Sequence, residues 1–99
     1  MLEYGGIVME LLKRQVSRDG VALSLLPREF RILEELMRED GKVVTKTMLL
    51  ERVWNYHFDP QTNIVETHIS RLRAKLNAGG KRDLIETIRG VGYRMAADA

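Results

Sequence analysis

The chain has 99 residues, 44% of them hydrophobic, with 16 Lys and Arg against 14 Asp and Glu and no Cys. These figures predict one small globular domain over residues 1–99, and they exclude disulfides, cysteine metal sites and thiol nucleophiles. No apolar run approaches the ~20 residues of a membrane span and no signal segment opens the chain, so we expect a cytoplasmic protein. A net charge of +2 favours a polyanionic partner only if the basic side chains gather on one face.

The first third of the chain alternates in hydrophobicity, which predicts short antiparallel strands. The two-residue period runs through Ile7, Met9, Leu11, Val21, Leu23 and Leu25. Asp19-Gly20 precedes the second of these segments and tolerates the positive φ angles of a type I′ turn. We therefore expect a β-hairpin that turns at Asp19-Gly20.

At Pro27 the hydrophobic period changes to that of a helix. Pro27 suits a first helical turn, and Asp40-Gly41 predicts the end of that helix. Thr45 is then a candidate N-cap for a second helix. The candidate buried residues of the two helices are Leu26, Phe30, Leu33, Leu36, Met37, Leu49, Leu50, Val53 and Trp54.

A third helix is predicted over about residues 62–76, after an aromatic loop. Its apolar stripe consists of Val65, Ile69, Leu72 and Leu76. Asn63 and Glu66 offer a capping pair at its start. In the preceding loop, we expect Tyr56 and Phe58 to fill the gap between the second and third helices, with a direct protein contact as the alternative.

The last segment, about residues 84–95, predicts a second hairpin. Two short strand-like segments flank the tight turn Gly90-Val91-Gly92, and Arg89 immediately precedes that turn. After it, Ala96 to Ala99 are expected to be loosely ordered.

The outward face of the third helix is polar, with small side chains, and has cations at its flanks. A helical wheel places Asn63, Thr67, Ser70 and Ala74 opposite the apolar stripe. Arg71 and Lys75 lie on one flank, and Arg73 lies on the other. This pattern is typical of a helix in the DNA major groove, which needs base contacts in the middle and phosphate contacts outside. A solvated surface helix is the alternative.

The hairpin beside this helix resembles the wing of a winged helix, with Arg89 placed to enter a minor groove. An exposed turn cation is the alternative for Arg89. Glu66 and His68 are two positions apart on a helix and cannot converge on one ion, and the chain lacks a phosphate-binding loop and a nucleophile elbow. We therefore expect no catalytic residue, metal or cofactor.

Five sequence blocks carry a family resemblance. They are Leu26-Pro27-Arg28-Glu29-Phe30, Gly41-Lys42-Val43-Val44-Thr45, Leu49-Leu50-Glu51-Arg52-Val53-Trp54, Val65-Glu66-Thr67-His68-Ile69-Ser70-Arg71-Leu72-Arg73-Ala74-Lys75-Leu76 and Thr87-Ile88-Arg89-Gly90-Val91-Gly92-Tyr93-Arg94. In this order and spacing the chain resembles the OmpR/PhoB family of bacterial response-regulator output domains, essentially from Leu25 to Met95.

The resemblance implies an α+β fold: a winged helix-turn-helix with an N-terminal antiparallel β-sheet, three helices and a C-terminal β-hairpin wing. It implies a bacterial transcription factor of a two-component phosphorelay, whose N-terminal receiver domain, absent from this chain, is phosphorylated by a sensor kinase. It also implies dimers on direct-repeat sites in double-stranded DNA, and a contact with RNA polymerase.

Residue roles follow from the same resemblance. Arg71 would read bases, with Asn63, Thr67 and Ser70 lining the major groove. Phosphates would be bound by His68, Arg73, Trp54 and Thr87, to which the flank position adds Lys75. Arg89 would enter the minor groove. RNA polymerase would contact the loop that contains Tyr56, His57, Phe58 and Asp59.

Two positions depart from the family pattern. Leu26 stands where a Thr usually caps the first helix, and Ser70 stands where some members carry an Arg. The alternative function is a winged-helix protein–protein interaction module whose third helix faces an acidic partner. Salt dependence separates the two functions, because DNA affinity falls steeply as salt rises.

Overall fold

The computed structural model describes residues 1–96, and its architecture confirms the predicted fold class. The elements in chain order are β1 Leu2–Tyr4, β2 Ile7–Glu10, β3 Gln15–Arg18, β4 Val21–Leu23, α1 Pro27–Arg38, β5 Val44–Thr45, α2 Lys46–Trp54, α3 Ile64–Leu76, β6 Ile85–Ile88 and β7 Gly92–Met95. One antiparallel sheet has the strand order β1-β2-β3-β4, and the other has the order β5-β7-β6. In the sequence, α1 lies between the two sheets, whereas α2 and α3 lie between β5 and β6 of the second sheet.

The hairpin predicted at Asp19-Gly20 is confirmed. Both residues have positive φ, 50° and 83°, and Arg18 pairs with Val21 across the turn. One face of this sheet packs inward, and Ile7 and Met9 on that face are fully buried. Val21 lies on the same face, opposite Arg18, but it is 61% exposed because β4 is the edge strand. The turn therefore fixes the register of β3 against β4, which places Val16 and Arg18 of β3 on the inward face.

Helices α1 and α2 begin where the sequence predicts. Leu26 is 53% exposed, so the prediction that it is buried is wrong; it lies at the N-cap, before the apolar stripe of α1 turns inward. It has no capping oxygen, and its backbone N–H donates to Oε1 of Glu29 at 2.8 Å instead. Thr45 caps α2, since its Oγ1 accepts from Met48 N at 3.1 Å. The missing cap of α1 is thus partly replaced by a side chain from inside the helix.

Strand β5 is two residues long and was not predicted. It pairs with β7, with Val44 opposite Tyr93 and Thr45 opposite Gly92. A Cβ at position 92 would lie 2.7 Å from Thr45 Cα, and it would also collide with the backbone of Val44. Gly92 is therefore needed for close approach of the two backbones, and this pairing docks the C-terminal hairpin against the start of α2.

Arg18 ties the N-terminal sheet to the end of α3. Its guanidinium is buried and donates to the backbone oxygens of Leu76, at 2.7 Å, and Arg82, at 2.6 Å. Leu76 is the last residue of α3, where carbonyl groups lack helical partners and the helix dipole favours a cation. The N-terminal sheet thus holds α3 in place as well as covering the core.

The end of the chain corrects one expectation. Ala96 is buried, its N–H donates to Leu84 O at 2.7 Å, and its carbonyl accepts from the Tyr4 hydroxyl at 2.6 Å. The expectation of loose order is wrong for Ala96 because these bonds join it to β1 and to Leu84, the residue before β6. For residues 97–99 the same expectation lies outside the described residues.

Candidate nucleic-acid interface

Helix α3 presents the predicted face to solvent. Its apolar stripe is buried, with exposures of 2% or less at Val65, Ile69, Leu72 and Leu76. Ser70, Arg71 and Ala74 are consequently exposed on the opposite side, and Thr67 is half-buried. This outward face is small, polar and flanked by cations.

The predicted capping pair at the start of α3 is not formed. Asn63 occupies the N-cap position, but its side chain makes no capping hydrogen bond, and its φ and ψ are −94° and 31°. These angles are not those of a typical extended N-cap, which aims the side chain at the first-turn N–H groups. The helix begins at Ile64, and the Asn63 side chain is exposed beside the outward face.

The three cations of α3 have different surroundings. Arg73 donates to Ile85 O and, at 2.9 Å, to Thr87 Oγ1, and its Nε lies 3.3 Å from Asp83 Oδ2. The structure thus brings Arg73 and Thr87, both predicted phosphate ligands, together as partners. This contact fixes β6, and with it the wing, against α3.

Lys75 points toward α1. Its ammonium lies 2.7 Å from Oε1 of Glu29, whose side chain is fully buried. The other carboxylate oxygen, Oε2, has no hydrogen-bond partner. Lys75 therefore balances a buried negative charge, which its predicted role as a phosphate ligand did not anticipate. Arg71 is exposed and has no ion pair within residues 1–96.

His68 and Trp54 pack against each other on the flank of α3 that also carries Arg71. Their rings meet edge to face, with centroids 5.1 Å apart. His68 Nδ1 lies 2.8 Å from Ile64 O, so this nitrogen carries the proton and Nε2 is left for an outside partner. Trp54 is buried, which confirms the predicted core contact of its ring.

The C-terminal hairpin lies along α3, with β6 bonded to Arg73 and the turn nearer to Glu66. Its turn carries exposed Arg89, and Gly90 has a φ of 73°. A shallow groove lined by Lys46, Glu66, Thr87, Ile88, Gly90, Val91, Gly92 and Tyr93 joins the hairpin to the starts of α2 and α3. The hairpin and the outward face of α3 are therefore neighbours on one surface.

The groove contains an acid and a buried phenol. Lys46 Nζ lies 3.5 Å from Glu66 Oε2, so the carboxylate on α3 is paired with a cation from α2. Burial raises the pKa of the Tyr93 hydroxyl, Glu66 raises it further, and Arg73 opposes the shift. A tyrosine hydroxyl is neutral at physiological pH even without this shift, so Tyr93 lines the groove as a neutral phenol.

In the aromatic loop, the predicted burial is confirmed for Tyr56 and not for Phe58. Tyr56 is half-buried against the core, as predicted, while Phe58 is 64% exposed and stacks on Tyr56 with ring centroids 5.1 Å apart. The prediction that Phe58 fills the gap between helices is wrong, because Tyr56 already occupies the inner position. His57 and Asp59 are exposed at the same tip.

Sequence reasoning missed several positions that shape this surface. Arg18 and Glu29 are charged residues in the interior, and periodicity cannot identify them because it reports only apolar residues. Arg28 was missed as well: its guanidinium lies over the Trp54 ring, 5.5 Å from the centroid. The position of Glu29, three residues after the N-cap, was a signal that its side chain could turn back to bind the N-cap N–H.

None of the helices within residues 1–96 combines the length and apolar content needed to cross a bilayer. The same stretch holds no group of three or more His, Cys, Asp or Glu side chains suited to a metal ion.

Comparison of the whole chain with known proteins identifies its relatives. Residues 20–95 match the family described as "Transcriptional regulatory protein, C terminal". The chain is 43% identical over 95 residues to the transcriptional regulatory protein CutR of Streptomyces coelicolor, covering 96% of this chain and 42% of CutR. The chain thus spans about two-fifths of the length of the curated relatives it matches.

Two solved structures share the fold along almost the whole chain. The DNA-binding domain of CpxR from E. coli has a TM-score of 0.87 at 32% identity, covering 99% of this chain and 97% of that one. The Klebsiella pneumoniae RstA DNA-binding domain, solved in complex with the RstA box, has a TM-score of 0.85 at 29% identity, covering 96% and 95%.

Proposed function

The chain belongs to the family of C-terminal domains of transcriptional regulatory proteins, of the OmpR/PhoB response-regulator type, and we propose that it binds double-stranded DNA in a sequence-specific manner to control transcription. The observation that carries the proposal is the placement of the exposed face of α3 and the Arg89 turn on one surface, held together by Arg73. This role is non-enzymatic.

In the proposed complex α3 lies in the major groove. Arg71 reads a base there, because an exposed guanidinium with no internal ion pair can present its fork to guanine O6 and N7. Thr67 and Ser70 lie on the same face, and Asn63 lies at its leading end, where each can hydrogen-bond to base edges or phosphates. The wing directs Arg89 into the adjacent minor groove.

Phosphates on either side of α3 are bound by different elements. Trp54 serves one strand through its indole N–H, and His68 serves the same strand through Nε2 when the ring carries a proton on both nitrogens, because Nδ1–H is used by Ile64 O. Thr87 and Arg73 serve the strand beside the wing. A guanidinium has five donors, so Arg73 can hold β6 and still contribute one. The Lys75 ammonium is already paired with Glu29. We therefore expect Lys75 to act mainly through its positive charge near the duplex and less as a direct phosphate ligand.

The function of the whole protein goes beyond this domain. Because the relatives are longer, we propose that the full-length protein carries a receiver domain phosphorylated by a sensor kinase, and that two copies bind direct-repeat DNA sites in the bacterial cytoplasm. The exposed loop of Tyr56, His57, Phe58 and Asp59 is the proposed contact with RNA polymerase. Its support is the exposed Phe58 ring.

Selection from random duplex DNA at two salt concentrations tests the proposal. We expect an enriched motif, with direct repeats if two copies bind together. The logarithm of the affinity for that motif should fall linearly with the logarithm of the salt concentration, by about 0.9 per neutralised phosphate. An unenriched pool, or an affinity for acidic proteins with a flat salt response, would instead support the protein–protein module.

Replacing Arg89 with alanine should weaken binding by about 1 kcal/mol on sites with an A·T-rich segment under the wing, and less on G·C-rich segments. The reason is that a narrow A·T-rich minor groove has a more negative potential and attracts a guanidinium more strongly. Titrations on two duplexes that differ only in that segment measure the difference. Val91→Ala in the same turn is the matched control, and equal losses on both duplexes would contradict the role of Arg89.

A further inference from the structure

We propose that Arg28 is a further phosphate-binding residue, held by Trp54 on the side of α3 opposite the wing. The proposal rests on the DNA-binding function proposed above and adds the first turn of α1 to the interface. Arg28 belongs to the first of the five sequence blocks, but no role was predicted for it. It follows the helix-starting Pro27 and lies outside the apolar stripe of α1.

Arg28 differs from the other arginines of its helix. Arg31 lies 3.3 Å from Glu35 Oε1, and Arg38 lies 3.0 Å from Glu34 Oε2. Arg28 is exposed and has no ion pair within residues 1–96. The neighbouring acid, Glu29, is turned inward and already binds Lys75. The charge of Arg28 is therefore available to an anion from outside.

The guanidinium is nevertheless held in place. Its Cζ lies 5.5 Å from the centroid of the Trp54 ring, and that ring is buried and packs edge to face with His68. A guanidinium against an aromatic face keeps N–H donors in its own plane free, and these match the oxygens of a phosphate. Arg28, Trp54 and His68 thus form a row from α1 through α2 to α3.

This row lies on the flank of α3 away from the wing, where the second DNA strand would run. On α3, at 100° per residue, His68 is about 60° from Val65 in one sense, whereas Arg73 is about 80° away in the other. Arg73 bonds to Thr87 on the wing side of α3. On the other side, His68 contacts Trp54, and Trp54 contacts Arg28. A helix in the major groove has a sugar–phosphate backbone on each side, so the row meets the backbone that the wing does not.

Salt titrations of the purified domain on a duplex carrying the selected motif test this role. We expect Arg28→Ala to weaken binding about fivefold, as for loss of one exposed charged hydrogen bond, and to lower the log–log salt slope by about 0.9. Arg28→Lys keeps the charge and should keep the slope while losing part of the affinity. Arg38→Ala, at the other end of α1, is the control and should match the wild type in both affinity and salt slope.

Thermal unfolding of each variant shows whether the fold is intact. An affinity and slope for Arg28→Ala equal to those of the wild type would overturn the role of Arg28 and leave the DNA-binding function standing. A loss of affinity with an unchanged slope would also overturn it, since Arg28 would then act only by supporting Trp54. A wild-type domain that binds no duplex would overturn the proposed function, and this inference with it.

Discussion

Replacing Lys75 with methionine is expected to lower the free energy of unfolding by about 3 kcal/mol. The substitution keeps helix propensity and side-chain length, but it leaves the fully buried carboxylate of Glu29 without its cation. The value is set at the low end of the range for broken buried pairs because the Lys75 side chain is 36% exposed and water can reach the site. Urea denaturation followed by circular dichroism measures the loss.

Two further variants separate the buried charge from other effects. Glu29→Gln/Lys75→Met removes both charges and should recover most of the lost stability, since no uncompensated ion remains. Lys42→Met changes an exposed lysine and should stay within about 0.5 kcal/mol of the wild type. If Lys75→Met were as stable as Lys42→Met, the Glu29 ion pair would have no structural role.

The same variants decide how Lys75 contributes to DNA affinity. Sequence reasoning expected Lys75 to bind phosphate, and a uniform loss of affinity in Lys75→Ala would match that expectation even if the loss came from partial unfolding. In a Glu29→Gln background the ammonium is released from its internal partner. Comparing Glu29→Gln with Glu29→Gln/Lys75→Met therefore isolates the effect of the Lys75 charge on the duplex.

The periodic elements of the fold were predictable because burial of one face imposes a repeat on the sequence. The stripe from Val65 to Leu76 predicted α3 and its orientation, and Asp19-Gly20 predicted its hairpin through local φ preferences alone. Strand β5 was not predictable in this way. It has two residues, no measurable period, and depends on the close approach of Gly92 from the far end of the chain.

The candidate site was predictable in composition but not in the pairing of its charges. A helical wheel placed Arg71 and Lys75 on one flank of the outward face and Arg73 on the other, but it could not show which of them have partners inside the protein. The structure separates them, because Arg73 bonds to β6 and Lys75 bonds to α1. Those partners are distant in sequence, so only the tertiary fold shows that Arg71 alone of the three has no ion pair within residues 1–96.

Replacing Arg71 with alanine is expected to cost about 1–3 kcal/mol of binding free energy on the selected motif, roughly a fivefold to 150-fold loss of affinity, and to flatten the preference at one base position. The physical reason is the loss of a bidentate hydrogen bond to one base, which other bases cannot accept in the same geometry. Competition titrations against duplexes substituted at each position of the motif measure both effects. Unfolding should be unaffected, because Arg71 is exposed.

Arg71→Lys is the matched variant, since it keeps the charge and removes the planar fork. A base-reading role predicts that lysine retains the salt slope of the wild type but loses the base preference almost as fully as alanine. A phosphate-binding role predicts the reverse: lysine would restore most of the affinity on every sequence, and alanine would weaken all sequences equally. The second pattern would remove Arg71 from the set of base readers and leave α3 with only neutral side chains to read the major groove.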